Sequence, residues 1–274
     1  MEATEGGGRS EMECTKIEVP SGSLDSSVMF YVVAEILGFV LHMHQQIPST
    51  MQDISLEFES LKTEYKELEM ACAQTEVRPS LRRKNAGRKR EVKQGIKRLE
   101  KLMETMFSLH TALQLMISEI PDIQQVMVVL GASPVHPLHV FEVCFSRGKA
   151  VSTDVGDFTK SRAAEGLSRK VVRTLISKGA GSDSYPGPTK LFLLVKAPSS
   201  LNMPLHFLPK RGFRYSKKIV PFRLLLKCKT QYQDMNGQTA DSISLRDGSS
   251  NDLIWFQCRH VVKGLAFKTS STED

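Results

Sequence analysis

The hydrophobic period of this chain changes once, near Pro121, and that change limits the folds open to it. Before Pro121, apolar residues recur at helical spacing. After it come β-branched and aromatic runs at the two-residue period of strands. Helices come first, then strands with one further helix inserted among them. That order points to an α+β architecture rather than an alternating α/β one.

Asp25 or Ser26 caps a first helix that runs to about Gln46 and is ended by Pro48. Val28, Phe30, Val33, Ile36, Leu37, Val40 and Leu41 make it apolar on nearly every side, as in a helix buried between a sheet and other helices. The second, from about Asp53 to Glu76, places Ile54, Phe58, Leu61, Tyr65, Leu68 and Cys72 at alternating steps of four and three. This stripe predicts an amphipathic helix packed on its own domain; read as heptads, it is the seam of a coiled-coil scaffold over 54–72. After a basic break at 79–90, a long helix from about Glu91 to Glu119 aligns Val92, Ile96, Leu99, Met103, Met106, His110, Leu113 and Ile117.

Ile123 to Leu130 then reads as a strand, followed by a Gly131–Pro137 turn and a second strand over His139–Ser146. Asp157 can cap a helix to about Lys178, with Leu167, Val171, Val172 and Leu175 on its apolar face and Gly179 as its C′ residue. Lys190–Ala197 and Ile219–Lys229 are further strands, separated by a loop at 198–218. A polar segment at 230–251 leads to the closing strand at 252–263, which carries the single Trp, Trp255. The expected organisation is a disordered tail at 1–23, one domain over 24–267 with an inserted helix and basic loop at about 50–90, and a second disordered tail at 268–274.

Charge is concentrated. Between Arg78 and Arg98 stand ten Lys or Arg and one acid, Glu91; this excess of nine within a formal net charge of +7 leaves −2 for everything else. Arg82, Arg83 and Lys84 with Arg88, Lys89 and Arg90 are candidates for a nuclear-import signal, for a nucleic-acid patch, or for a solvated loop. No aromatic residue stands between Arg78 and Arg98, which disfavours single-strand binding by stacking. Five scattered cysteines without a Cys-x-x-Cys pair suit a reducing compartment. No signal peptide is legible and Val28–Met43 is too short for a bilayer span, so the expected location is the nucleus and cytoplasm.

Motifs of catalysis are missing: there is no phosphate-cradling G-x-x-x-x-G-K-[ST], no strand-linked G-x-G-x-x-G and no G-x-S-x-G. His42 and His44 point to different sides of a helix, and His136 and His139 flank Pro137 in a turn without Cys or Asp partners. The expectation is a protein that is not an enzyme and that needs no cofactor or metal.

Five segments, in order, carry a family resemblance. They are Gln45-Gln46-Ile47-Pro48; Val129-Leu130-Gly131-Ala132 followed by Pro137-Leu138-His139-Val140-Phe141-Glu142-Val143; Arg169-Lys170-Val171-Val172-Arg173; Phe207-Leu208-Pro209-Lys210; and Ile254-Trp255-Phe256-Gln257. Together they resemble the comet family, adaptors that bind the Mad-two spindle-checkpoint protein. The resemblance covers about residues 28–264 and leaves out the tails, the second helix and the basic segment.

The resemblance implies a HORMA-like safety-belt fold, with three core helices on a mainly antiparallel sheet. It implies an adaptor that binds the closed conformer of a HORMA-domain protein and presents it to a hexameric AAA+ ATPase of the pachytene-checkpoint type. Such an adaptor silences the spindle checkpoint and is also compatible with a meiotic role. By position, Arg169, Val172 and Arg173 fall on the partner-binding helix, Gln45 and Gln46 at its border, and Pro209 and Lys210 on the ATPase-facing loop. The residues alone leave plainer readings open: Val172 as core, Arg169 and Arg173 as a solvated face, Pro209-Lys210 as an exposed turn. Val172 stands where the family has Phe, and Met43 where it has Gln. The implied partner is therefore either a Mad-two-like checkpoint protein or another HORMA protein, such as a meiotic axis component.

Overall fold

The computed structural model describes residues 14–19, 24–73, 79–120, 123–146, 157–181, 187–216, 218–228 and 252–265. In chain order the elements are β1 (Cys14–Val19), α1 (Ser26–Met43), α2 (Met51–Ala73), α3 (Pro79–Glu119), β2 (Gln125–Ser133) and β3 (His136–Ser146). They continue with α4 (Asp157–Ser177), β4 (Lys190–Pro198), β5 (Phe207–Lys210), β6 (Phe222–Cys228), β7 (Leu253–Cys258) and β8 (Val262–Lys263). The expected α+β class holds: four helices accompany one eight-stranded sheet of order β1-β6-β3-β2-β4-β7-β5, with β8 also paired to β4. The sheet is mostly antiparallel, the parallel pairs being β1–β6 and β3–β6.

Strand β2 sits at the centre, antiparallel to β3 on one side and to β4 on the other. Alternation along it divides the core in two. Val126, Val128 and Leu130 join the large cluster under the helices, while Met127 and Val129 join a smaller one on the back of the sheet. Val140, Phe192 and Leu194 complete that back layer, and Phe213, Tyr215, Ile219, Trp255 and Val261 cover it. On the front, α1 is enclosed. Asp25 accepts the Val28 N–H at 2.8 Å as its cap, and eight of its residues, from Val28 to Leu41, are buried. By length and composition α1 is apolar enough to cross a membrane, but those residues are spent in the domain core.

Four expectations need correction. First, part of the segment read as an N-terminal tail is a strand: β1 pairs with β6 from Cys14↔Arg223 to Val19↔Cys228 and buries Ile17 and Val19. Second, the basic segment read as a loop is the first third of α3, a 41-residue helix starting at Pro79. Proline suits a first helical turn because its missing N–H has no partner there in any case. Packing then carries the helix onward. Arg88 forks onto Glu64 of α2 at 2.6 and 3.1 Å, and Lys89 reaches Glu69 at 2.9 Å. A Cβ placed on Gly95 would lie 3.2 Å from Leu61 Cδ1, so glycine there lets the two helices approach closely.

Third, the loop at 198–218 contains β5, which pairs with β7 at the sheet edge. Fourth, the closing run at 252–263 is two strands, β7 and β8, rather than one. The heptad stripe of α2 packs within the chain: Ile54 and Phe58 are buried, and Leu61 rests on the same core. The polar segment at 230–251 lies outside the described residues, as does the segment at 1–13.

Because β1 contributes to the core, Ile17→Ala is expected to destabilise the protein by about 2–4 kcal/mol, the cost of a cavity at a closed site. Urea unfolding measures this. A loss under about 0.5 kcal/mol, the size of an ordinary surface change, would remove β1 from the cooperative unit.

Candidate partner-binding site

Helix α4 has two faces. Ala164, Leu167, Val171 and Leu175 are buried, and they line up at steps of three and four against α1 and the sheet. At about 100° per residue, Arg169, Val172, Arg173 and Ile176 fall within a single arc on the opposite side. Arg169 and Arg173 are exposed, and Arg169 bonds Glu165 one turn earlier. Ile176 is 53% exposed. The face therefore carries two apolar residues, Val172 and Ile176, side by side with two exposed arginines. Ile176 was not among the sequence-predicted residues; its place four residues after Val172 was the available signal.

Val172 is half-buried at the shoulder of this face. It lines a cleft whose other walls include Gly38 and His42 of α1, Met51 of α2, and Met106 and His110 of α3. No atom lies within 4 Å of a Cβ built on Gly38, so the cleft is open above α1. His110 Nε2 is buried there without a hydrogen-bond partner among the described residues, and burial holds the His110 pKa below its usual value.

The two glutamines have different fates. Gln45 is exposed, at φ 53°, in a left-handed turn just past α1. Gln46 is fully buried and is not available to a partner, a correction to its expected place at the binding border. Its Nε2 donates to the His44 carbonyl at 2.8 Å and the Gly187 carbonyl at 3.3 Å, and its Oε1 accepts the Thr189 N–H at 2.7 Å. Its backbone carbonyl accepts the Leu265 N–H at 2.7 Å. A Cβ on Gly264 would collide with Gln46 Oε1. One residue thus ties three places together: its side chain joins the end of α1 to the approach to β4, and its backbone carbonyl holds the segment after β8.

Pro209 and Lys210 lie on β5, opposite Phe256 and Trp255 of β7, and both are exposed. The expected ATPase-facing loop is therefore an edge strand. Proline is tolerated there because no ladder hydrogen bond is lost on the open side. The turn before it carries Leu205, 81% exposed, which the sequence reading missed. Nearby, His206 and His260 face each other at 3.4 Å between ring nitrogens, and burial together with His206 pushes the His260 pKa down.

These two surfaces belong to opposite edges of the sheet. Lys170 Nζ of α4 donates to the Glu18 carbonyl of β1, at one edge, while β5 forms the other. Six strand intervals separate those edges in the sheet order, a path of roughly 29 Å along the sheet at 4.8 Å each.

Among the predicted import-signal residues, Arg82, Arg83, Lys84 and Arg90 are exposed on α3, whereas Arg88 and Lys89 are held by the α2 acids. Among the described residues no three His, Cys, Asp or Glu side chains converge as a metal site would require. Burial raises the Cys144 and Cys258 thiols to about 11, so both are neutral at physiological pH and poor nucleophiles. The chain matches no protein-family model and no curated protein.

Gln46→Ala should cost about 1–3 kcal/mol, the cost of leaving buried partners unpaired, whereas Gln45→Ala should leave stability nearly unchanged. Equal losses in thermal or urea unfolding would refute the assignment of the clamp to Gln46. His110 supplies a pH prediction. With its folded pKa depressed, the unfolded chain binds the proton more readily. The contribution is complete above the unfolded value of about 6.5 and is lost as pH falls below it. Urea midpoints should therefore fall more steeply between about pH 7 and pH 5 for the native protein than for His110→Gln. Parallel curves would show that His110 is already solvated.

Proposed function

We propose that this protein is a non-enzymatic adaptor of HORMA-like fold. It binds the closed conformer of a HORMA-domain protein, Mad-two-like or of the meiotic axis, through the outer face of α4. It presents that partner to a hexameric AAA+ ATPase at the β5 edge, and so silences the spindle assembly checkpoint. The observation that carries this reading is the pair of separate exposed surfaces, α4 and β5, at opposite edges of one sheet. The ordered resemblance to the comet family falls on both. An adaptor must hold two proteins at once, and surfaces at opposite ends of the strand order favour that.

Selectivity for the closed conformer would come from differential affinity alone, with the ATPase supplying the work of opening. Arg169, Val172, Arg173 and Ile176 would form the contact with the partner. An apolar anchor beside two arginines on a rigid helix loses little entropy on binding. The partner contact would end near Gln45, beyond the C-terminus of α1.

The test is size-exclusion chromatography with the Mad-two-like checkpoint protein locked closed and, separately, locked open. A 1:1 complex with the closed form alone is expected, weakened at least tenfold by Ile176→Glu or Arg173→Glu. Both changes lie on exposed positions and spare the fold. Lys210→Glu should keep that complex and reduce ATPase-driven opening. Equal binding of open and closed forms, or a complex indifferent to the α4 variants, would overturn the proposal.

A further inference from the structure

The first third of α3 presents cations in a pattern that its packing does not explain. Its inner side is engaged by α2, through Leu61 over Gly95, Glu64 on Arg88 and Glu69 on Lys89. Val92 and Leu99 are buried on that same side. At about 100° per residue, Arg82, Arg83, Arg90, Lys93 and Lys97 fall within an arc of about 100° on the far side. All five are exposed, and none has an acidic partner among the described residues. The one acid in the segment, Glu91, lies off the arc and bonds Arg88. The five cations span about 22 Å of straight helix.

The placement works against helix stability. No acid stands in the first turn of α3, and the positive end of the helix dipole adds to the cations instead of being offset. The acids of α2 neutralise the inward-facing Arg88 and Lys89 but leave the outer stripe uncompensated. The result is a rod of concentrated positive potential on a protein whose remaining charge sums to −2.

What lies between the cations selects the partner. Within the arc from 82 to 97 the intervening residue is Ala86, so no large apolar or aromatic side chain offers an anchor for a protein. An interfacial membrane helix needs a free apolar face, and that of α3 is occupied by α2. Single strands require stacking platforms, which are absent here. A stiff, linear, uniformly charged ligand remains: the phosphate backbone of a nucleic-acid duplex.

We propose that the outer stripe of α3 is a sequence-independent binding surface for double-stranded nucleic acid, with Arg82, Arg83, Arg90, Lys93 and Lys97 contacting phosphates. Phosphate contacts position a protein without reading bases, so little sequence preference follows. The site is separate from the α4 and β5 surfaces, so its failure leaves the adaptor reading standing.

Fluorescence anisotropy with the full chain and a mixed-sequence 20-base-pair DNA duplex tests this, with the matching RNA duplex, the single strand, polyglutamate and anionic phosphatidylserine vesicles as parallel probes. Five phosphate contacts predict a slope of about −4.5 for the logarithm of affinity against that of salt. Replacing Arg90, Lys93 and Lys97 by Gln should reduce the slope by about three and weaken duplex binding at least tenfold. Far-UV circular dichroism and binding of the closed HORMA partner should be unchanged in that variant. No duplex binding at 50 mM salt would overturn the proposal. So would tighter binding of polyglutamate, vesicles or the single strand than of either duplex, or a triple variant that binds duplex as well as the native chain does.

Discussion

Strand β2 must be buried on both faces, and most of the architecture meets that requirement. The β2 residues from Val126 to Leu130 are all apolar and buried, so those pointing up and those pointing down each need an apolar layer. The helices supply the first, through Val126, Val128 and Leu130. The second falls to an irregular strap, in which Phe213, Tyr215 and Ile219 cross the back of the sheet beside Trp255. A strap without regular structure needs polar fixing. Tyr215 donates to Glu142 at 2.8 Å, and Arg223 occupies the other oxygen of the same carboxylate at 2.7 Å. Glu142 is 5% exposed, so its charge is tolerated only because both oxygens are satisfied.

The hairpin of α2 and α3 follows a different logic. Beyond Phe58 and Leu99 it leaves the main core, and pairing between the two helices replaces packing onto the sheet. Exposed ion pairs such as Arg88–Glu64 contribute little each, on the order of 0.2–1 kcal/mol. Their greater effect is on register, because a slip of one turn would put the apolar Val92 opposite Glu64 in the place of Arg88. The same pairing determines which cations stay free, and the outer stripe is the set that α2 cannot reach.

The legible parts of the fold were those where one local rule dominated. Asp25 before an apolar stretch marked the start of α1, Gly179 marked the end of α4 at φ 77°, and the turn at Gly131–Pro137 marked the β2–β3 hairpin, although its strands extend to Ser133 and from His136. Illegible parts depended on a distant partner. Residues 14–19 are short and alternate with Lys and Glu; only β6, more than two hundred residues onward, makes them a strand. The basic run read as a loop because Pro79 and dense like charge both oppose a helix interior, until Glu64 and Glu69 are placed beside it. In the candidate site, the α4 arginines came from the family resemblance, because their spacing alone fits a solvated face equally well. The burial of Gln46 could not be read, since three of its contacts are to segments far along the chain.

The separation of surfaces bears on how such a molecule would transmit load. If one protein is held at α4 and another pulls at β5, force crosses the sheet perpendicular to its strands, through the ladders of β6, β3, β2, β4 and β7. Adjacent ladders loaded in that direction open in sequence, and the shortest would yield first. β5 is four residues long and ends on a proline and a lysine that face outward. An edge of this kind can be released without disturbing β2, whose two ladders run seven residue pairs or more. The Gln46 clamp adds a second safeguard, since it ties the residues after β8 to the end of α1 and so joins the C-terminal strands to the helical layer. The sheet thus has long ladders at its centre and a ladder of four residue pairs at the β5 edge.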